Sequence, residues 1–151
     1  MFKFDLAEVG PAVAQSAAFK LAARFWTGRT LLKTDDGDAY LLEVRDGEFI
    51  SFKNADPGTE AEIIIAGPKD SWEKLFEAIP PAGFHDPLYN DGRSGFRFED
   101  NLVANRAPYF HAVQEFLDVL RRLQSGGAPV ETFPEVDRDF DAAVGRYMYV
   151  R

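Results

Sequence analysis

The chain contains only two histidines and no cysteine, so acid–base chemistry at a histidine is the first catalytic option to consider. His111 is followed one helical turn later by Glu115, a pair that can orient an imidazole for proton transfer. Its neighbours on that side of the predicted helix are charged, which favours a solvated surface instead. His85 and Asp86 lie in a long loop next to Phe84, where such a pair can exchange a proton at the mouth of a cavity. A loop histidine beside an aspartate is nevertheless more often structural.

Other catalytic and metal-binding motifs are missing from the sequence or incomplete. Arg93-Ser94-Gly95 lacks the first glycine of a Gly-x-Ser-x-Gly nucleophile elbow, and no glycine-rich phosphate-binding pattern occurs. Asp35-Asp36-Gly37-Asp38 lacks the spacing and the distal glutamate of a calcium loop and is typical of a β-turn. The alternating acids between Glu135 and Asp141 are typical of solvated charge. The sequence therefore predicts no catalytic residue, no metal site and no cofactor.

The charge balance and the hydropathy limit the classes of partner that the protein can bind. Asp and Glu total 25 against 17 Lys and Arg, which makes this an acidic protein with a net charge of -8 that repels nucleic-acid phosphates and anionic lipid surfaces on average. The apolar run Ile63-Ile64-Ile65-Ala66 is far shorter than the roughly 18 residues that span a bilayer. The first residues lack the features of a secretory signal. We expect a cytoplasmic protein that neither binds nucleic acid nor inserts into a membrane.

The aromatic content is unusual for a chain of 151 residues, with 14 Phe, 5 Tyr and 2 Trp. Each such ring buries about 150–250 Å² when it enters a core. This composition predicts either a phenylalanine-rich core or a cavity for an apolar ligand.

The first half of the chain predicts one helix followed by a meander. Apolar residues spaced by three and four predict a helix from Pro11 to Trp26 that buries Leu21 and Phe25 in its apolar stripe. Three β-type runs follow, separated by Asp-Gly turns. In the third run, Ile50 and Phe52 are expected on one face and Phe49 on the other. The three runs are Thr30 to Thr34, Ala39 to Arg45 and Glu48 to Asn54.

The second half predicts two strands and two helices. Ile63, Ile64 and Ile65 put apolar groups on both faces of a strand, as expected of a strand that is covered on both sides. Asp70 and Glu73 form a capping-box pattern at the start of a helix whose apolar stripe reaches Ile79. A strand at Phe96 to Glu99 and a long helix from Tyr109 to Leu123 complete the set.

The order of these elements, with the isoleucine strand leading directly into Asp70-Ser71-Trp72-Glu73-Lys74-Leu75-Phe76, resembles the sterol carrier protein type 2-like family. The resemblance spans about Phe25 to Leu123. It implies an α+β fold in which an antiparallel five-stranded sheet, covered by helices, encloses an apolar tunnel for lipids or other hydrophobic molecules. Phe96-Arg97-Phe98-Glu99-Asp100-Asn101 departs from the glycine-rich segment ending in Gly-Asp that is usual in this family.

We therefore expect residues 1–124 to form a sterol-carrier-like ligand-binding domain and residues 125–151 to form a C-terminal appendage packed on it. The expected function is the binding of a lipid or hydrophobic small molecule by a non-catalytic carrier. Two alternatives stay open. One is an enzyme acting on a hydrophobic small molecule with His85 and Asp86 at the cavity mouth, and the other is an interaction module that docks on a partner enzyme or forms a homodimer.

The same reasoning selects the side chains expected to line the ligand site, with Tyr89 or His85 holding a polar headgroup. The full set comprises Trp72, Phe76, Phe84, His85, Tyr89, Phe96, Phe98, Phe110, Val113, Phe116 and Leu117.

Overall fold

The structure is a computed structural model that describes residues 1–87, 94–99 and 108–126. Tyr89 and residues 127–151 of the expected appendage lie outside the described residues. The helices are α1 (Val9–Ala14), α2 (Ala17–Ala23), α3 (Lys69–Leu75) and α4 (Phe110–Gln124), with a 3₁₀ turn at Leu6–Glu8 before them. The strands are β1 (Gly28–Thr34), β2 (Ala39–Arg45), β3 (Glu48–Asn54), β4 (Ile63–Gly67) and β5 (Arg97–Phe98).

The five strands form one sheet in the order β3-β2-β1-β4-β5, which confirms the α+β fold. Three neighbouring pairs are antiparallel, as in the predicted antiparallel sheet, and one pair differs, because β4 runs parallel to β1. Because β1, β2 and β3 alternate in direction, the C-terminal ends of β1 and β3 lie on the same side of the sheet. Residues 55–62 then carry the chain back along the length of the strands, so that β4 starts beside the first residues of β1. A tight hairpin turn cannot make such a parallel connection.

A β-bulge in β3 changes the predicted pattern of faces. Val44 pairs with Phe49, whereas Leu42 pairs with Phe52, which leaves Ile50 as an extra residue on β3. As a result both phenylalanines pack against the main core, the large apolar cluster between the sheet and the helices, and Ile50 is 45% exposed. The expectation that Phe49 faces away from Phe52 is therefore wrong.

The helix predicted from Pro11 to Trp26 is broken into α1 and α2. Ser16 adopts an extended conformation between them, and its hydroxyl accepts a hydrogen bond from the Phe19 amide at 3.2 Å, which makes it the N-cap of α2. The helix ends at Ala23, and Phe25 has a positive φ of 71°. Because of this break, Leu21 and Phe25 are 65% and 84% exposed, contrary to the predicted buried stripe.

α3 is shorter than predicted and lacks the expected capping box. Its N-cap is Pro68, with no side-chain hydrogen bond to the first turn, because the helix begins one residue before Asp70. The helix ends at Leu75, so Ile79 lies beyond it and is 85% exposed. Trp72 and Phe76 keep the buried positions that the spacing predicted.

One face of the sheet carries the main core, and the other carries a smaller cluster. α4 packs against α1 and α2, while α1 also contacts β3, so these helices cover the main face. Ile63 and Ile65 are fully buried in the main core. Ile64 points to the opposite face, where it packs against Leu31 and Leu41. The prediction that β4 is covered on both sides is confirmed. No helix in the described ranges is long and apolar enough to cross a bilayer.

Charged side chains connect the short edge strand β5 to the end of β1. Arg97 Nη2 lies 2.6 Å from Asp35 Oδ1 and 3.1 Å from Glu99 Oε1, and Glu99 also forms an ion pair with Lys33. The hydrogen bond from Lys33 lowers the pKa of the Glu99 carboxyl below its ordinary value. The hydrogen bond to Asp35 raises the pKa of Arg97. These ion pairs help to hold β5, which has only two residues, in the sheet.

The lowered pKa of Glu99 predicts a pH-dependent contribution to stability. Because the folded-state pKa lies below the ordinary value of 4.5, this contribution is fully present above 4.5 and is lost as the pH falls through the lowered pKa. The difference in unfolding free energy between the wild type and Glu99→Gln, measured by urea titration, should therefore be largest at neutral pH and shrink in acid. Glu60→Gln, at an exposed position in the 55–62 crossover, serves as the control. A difference for Glu99→Gln that is constant with pH contradicts the interpretation.

Candidate ligand-binding site

Nine of the eleven predicted site residues lie in or against a single apolar cluster between the sheet and the helices. Phe84 and Phe98 are partly buried at the border of this cluster, which we call the main core. His85 has an exposed side chain, and Tyr89 lies outside the described residues. The seven buried members are Trp72, Phe76, Phe96, Phe110, Val113, Phe116 and Leu117.

Two helices place most of these side chains. Phe110, Val113 and Leu117 recur at intervals of three and four along α4, so they share the helix face that is turned toward the sheet. Trp72 is fully buried on α3, and its indole Nε1 donates a hydrogen bond to the Lys33 carbonyl at 3.0 Å. This bond satisfies the polar atom of the indole and fixes α3 to the end of β1.

Aromatic rings within the main core contact one another edge to face. The ring of Phe116 lies 5.1 Å from that of Phe52 on β3, and the ring of Trp72 lies 4.8 Å from that of Phe96, measured between centroids. Such pairs add about 0.5–1.5 kcal/mol each beyond the area they bury. A ligand that enters between these rings has to separate them, so the rings at the border of the core offer the easier approach.

Rings at the border of the main core contact other rings or a charged side chain. Phe98 contacts Phe110 at 5.7 Å, and Tyr109 stacks on Trp26 at 5.6 Å. Lys74 Nζ lies 5.0 Å from the centre of the Phe84 ring. These half-buried rings give the main core an aromatic edge.

His85 takes part in the structure through its backbone. Its carbonyl oxygen accepts hydrogen bonds from Gln114 Nε2 at 3.1 Å and from Arg121 Nη2 at 3.0 Å. The loop that carries His85 is thereby fixed to α4. His111 is exposed, and its Nε2 lies 3.6 Å from Glu115 Oε1, so that pair occupies the solvated helix face that the sequence favoured.

Arg121 is a buried residue that sequence reasoning missed. Only 8% of it is exposed, and its Nε donates to the Leu75 carbonyl at 2.8 Å, at the end of α3. Its Nη1 contacts Asp118 Oδ1 at 2.5 Å. The signal in the sequence was its position four residues after Leu117, which places it on the apolar side of α4. Arg121 therefore connects α3, α4 and the His85 loop.

Thr30 is a second buried polar residue that the sequence analysis did not single out. It is 0% exposed, and its hydroxyl oxygen has no hydrogen-bond partner among the described residues. Its neighbours on the adjacent strands are Leu42 and Ile63. The available signal was a polar residue two positions before Leu32, on the face of β1 that Leu32 turns toward the core.

Two clefts formed by described residues lie at the surface, and Phe76 is the one predicted site residue that lines either of them. The larger, of about 570 Å³, lies between the N-terminal segment and the ends of α3 and α4, and its lining includes Lys3, Glu73 and Phe76. The smaller, of about 260 Å³, lies between α1 and α4. Within the described ranges, no group of three or more His, Cys, Asp or Glu side chains is arranged to hold a metal ion.

Comparison with known proteins identifies the fold. No protein-family model and no curated protein sequence matches the chain. The crystal structure of sterol carrier protein 2 is similar, with a TM-score of 0.64 and 24% identity over 77% of this chain and 92% of that one. The solution structure of a conserved hypothetical protein from Thermus thermophilus, whose description relates it to sterol carrier protein, has a TM-score of 0.62 and 24% identity over 80% of this chain and 86% of that one. The resemblance seen in the sequence is confirmed at the level of the fold.

The contacts of Arg121 predict an unequal effect of two neighbouring substitutions. Arg121→Ala should lower the free energy of unfolding by roughly 2–4 kcal/mol, because the carbonyls of Leu75 and His85 lose a buried charged donor. Arg122→Ala, at the adjacent half-buried position, should cost less than about 1 kcal/mol. Urea denaturation measures both values. Equal losses for the two variants contradict the assigned role of Arg121.

Proposed function

Because the chain has the fold of sterol carrier protein 2, we propose that it binds a lipid or another hydrophobic small molecule between its sheet and its helices. In this proposal residues 1–124 form the binding domain, residues 125–151 form an appendage to it, and the protein acts as a non-catalytic carrier. The observation that supports it most directly is the continuous apolar cluster with half-buried aromatic rings along its border.

Burial of an apolar ligand can supply useful affinity. Burying a methylene group contributes about 0.8 kcal/mol, so roughly ten methylenes supply a free energy that corresponds to micromolar binding before ordering costs are subtracted. Separating rings in edge-to-face contact subtracts further from this total. The ligand therefore needs a long or bulky apolar body.

The ionisable groups with shifted pKa values have structural roles that are compatible with a carrier. Arg97 and Glu99 hold β5 at the sheet edge, and Asp36 accepts a hydrogen bond from Thr34, which lowers the pKa of its carboxyl. In the main core, burial raises the pKa of the Tyr40 phenol, so this group stays protonated and neutral. The first three pKa shifts follow from hydrogen bonds between side chains, and that of Tyr40 follows from burial.

The direct test is to extract freshly purified full-length protein with organic solvent and to identify the extract by mass spectrometry. We expect an apolar molecule to co-purify in a defined ratio to protein, and we expect added Nile red to bind after extraction and refolding. A protein that releases no apolar molecule and binds no dye contradicts the proposed function.

A pair of substitutions on opposite faces of the sheet separates ligand binding from stability. Phe116 and Leu31 are both 0% exposed, but Phe116 lies in the main core and Leu31 in the small cluster on the other face. Phe116→Ala and Leu31→Ala should each cost about 2–5 kcal/mol of stability. Phe116→Ala should also weaken Nile red binding about tenfold, because an aromatic contact is lost, whereas Leu31→Ala should not.

Phe116→Leu serves as a milder variant in case Phe116→Ala does not fold. Equal dye affinity for the wild type and for the Phe116 variants, or an equal loss in Leu31→Ala, contradicts a site on the main face of the sheet.

A further inference from the structure

The buried hydroxyl groups of the described residues differ in whether they have a partner. Ser16 accepts a hydrogen bond from a backbone amide at 3.2 Å, Ser71 donates to the Ser94 carbonyl at 2.6 Å, and Thr34 bonds to Asp36. The hydroxyls of Thr30 and Ser94 have no such partner, and Thr30 is the one of the two that lies in a strand. Buried polar groups are almost always hydrogen-bonded, so an unsatisfied hydroxyl in a strand requires an explanation.

The position of Thr30 places this hydroxyl at the centre of the proposed binding face. β1 is the middle strand of the sheet, and Thr30 pairs with Leu42 on β2 and with Ile63 on β4. Paired residues on neighbouring strands point to the same face. Since Leu42 and Ile63 both belong to the main core, Thr30 also points toward the helices. The backbone of the sheet separates it from the opposite face.

We propose that Thr30 is the polar contact that orients the ligand, through a hydrogen bond between its hydroxyl and an oxygen atom of the bound molecule. This inference rests on the proposed carrier function. In a valine, the same branched side chain would fill the position without leaving a hydroxyl unsatisfied. A ligand oxygen that approaches from the helix side satisfies the hydroxyl.

The surroundings of Thr30 favour a ligand whose oxygen-containing group is neutral. Arg29, next to it in β1, and Glu62, which directly precedes β4, point to the opposite face, where Arg29 Nε lies 3.7 Å from Glu62 Oε2. On the main face, its strand neighbours are aliphatic and fully buried. An ionised carboxylate without a partner is very unfavourable in such an environment. The ligand class is therefore an alcohol, ketone or ester with a large apolar body, in preference to an ionised fatty acid.

Two ligands of equal chain length test the assignment in the full-length protein. 1-Decanol carries the hydroxyl, and 1-chlorodecane replaces it with an atom that hydrogen-bonds poorly. Headspace gas chromatography measures the vapour of each compound above a protein solution. The vapour is in equilibrium with the unbound compound and therefore gives its free concentration. Thr30→Val should weaken 1-decanol binding about fivefold and change 1-chlorodecane binding less than about twofold. Thr30→Ser, which keeps the hydroxyl, should bind 1-decanol within about twofold of the wild type.

The outcomes distinguish this inference from the carrier function. If the wild type binds neither compound, the carrier function is contradicted and the role of Thr30 with it. If the wild type binds both but Thr30→Val binds 1-decanol as tightly as the wild type, or loses both compounds equally, only the role of Thr30 is overturned. The unfolding free energy of Thr30→Val, expected to equal or exceed that of the wild type, shows that a selective loss of 1-decanol does not reflect a damaged fold.

Discussion

The packing of α4 on the main face of the sheet is the interaction on which the other elements depend. Eight residues of this helix are buried, and the face of the sheet beneath it is almost entirely apolar. A sheet with one apolar face is stable only when another layer covers that face. α1 and α2 pack against α4, and Arg121 fixes the end of α3 to it. The positions of the remaining helices therefore follow from the placement of this one helix.

The elements that periodicity defines strongly could be predicted from the sequence. The bounds Ala39–Arg45 and Glu48–Asn54 match the observed strands, and the inward-facing set of α4 was identified by its spacing. These successes have a common cause, since the pattern of buried side chains repeats with the period of the element. Nine of the eleven side chains predicted for the site lie in or against the main core for the same reason, because most of them face inward from those elements, and their contact with a ligand stays a prediction.

The features that were missed arise from contacts between residues that are distant in sequence, or from a single residue that interrupts a regular pattern. Nothing within β4 itself indicates that it pairs in parallel with β1; only the connection through 55–62 does. The bulge at Ile50 interrupts the alternation that the face assignment assumed. Arg121 looks like one more surface charge until the carbonyl of Leu75 is brought within 2.8 Å of its Nε. Periodicity cannot report the parallel pairing or the bulge, and for Arg121 it indicates only the side of α4 on which the residue lies, not the carbonyl that it binds.

In the proposed carrier, a core made of contacting rings also restricts how the ligand can be selected. The hydrophobic contribution is roughly proportional to buried area and has no direction, so the rings of the main core favour any apolar body that fits without fixing its orientation. Orientation requires a polar group, and Thr30 has the position to supply one on the central strand. Because backbone pairing with β2 and β4 holds that strand on both sides, its hydroxyl is fixed relative to the surrounding rings. In the proposed carrier, affinity and orientation thus come from different residues, and a change in one need not alter the other.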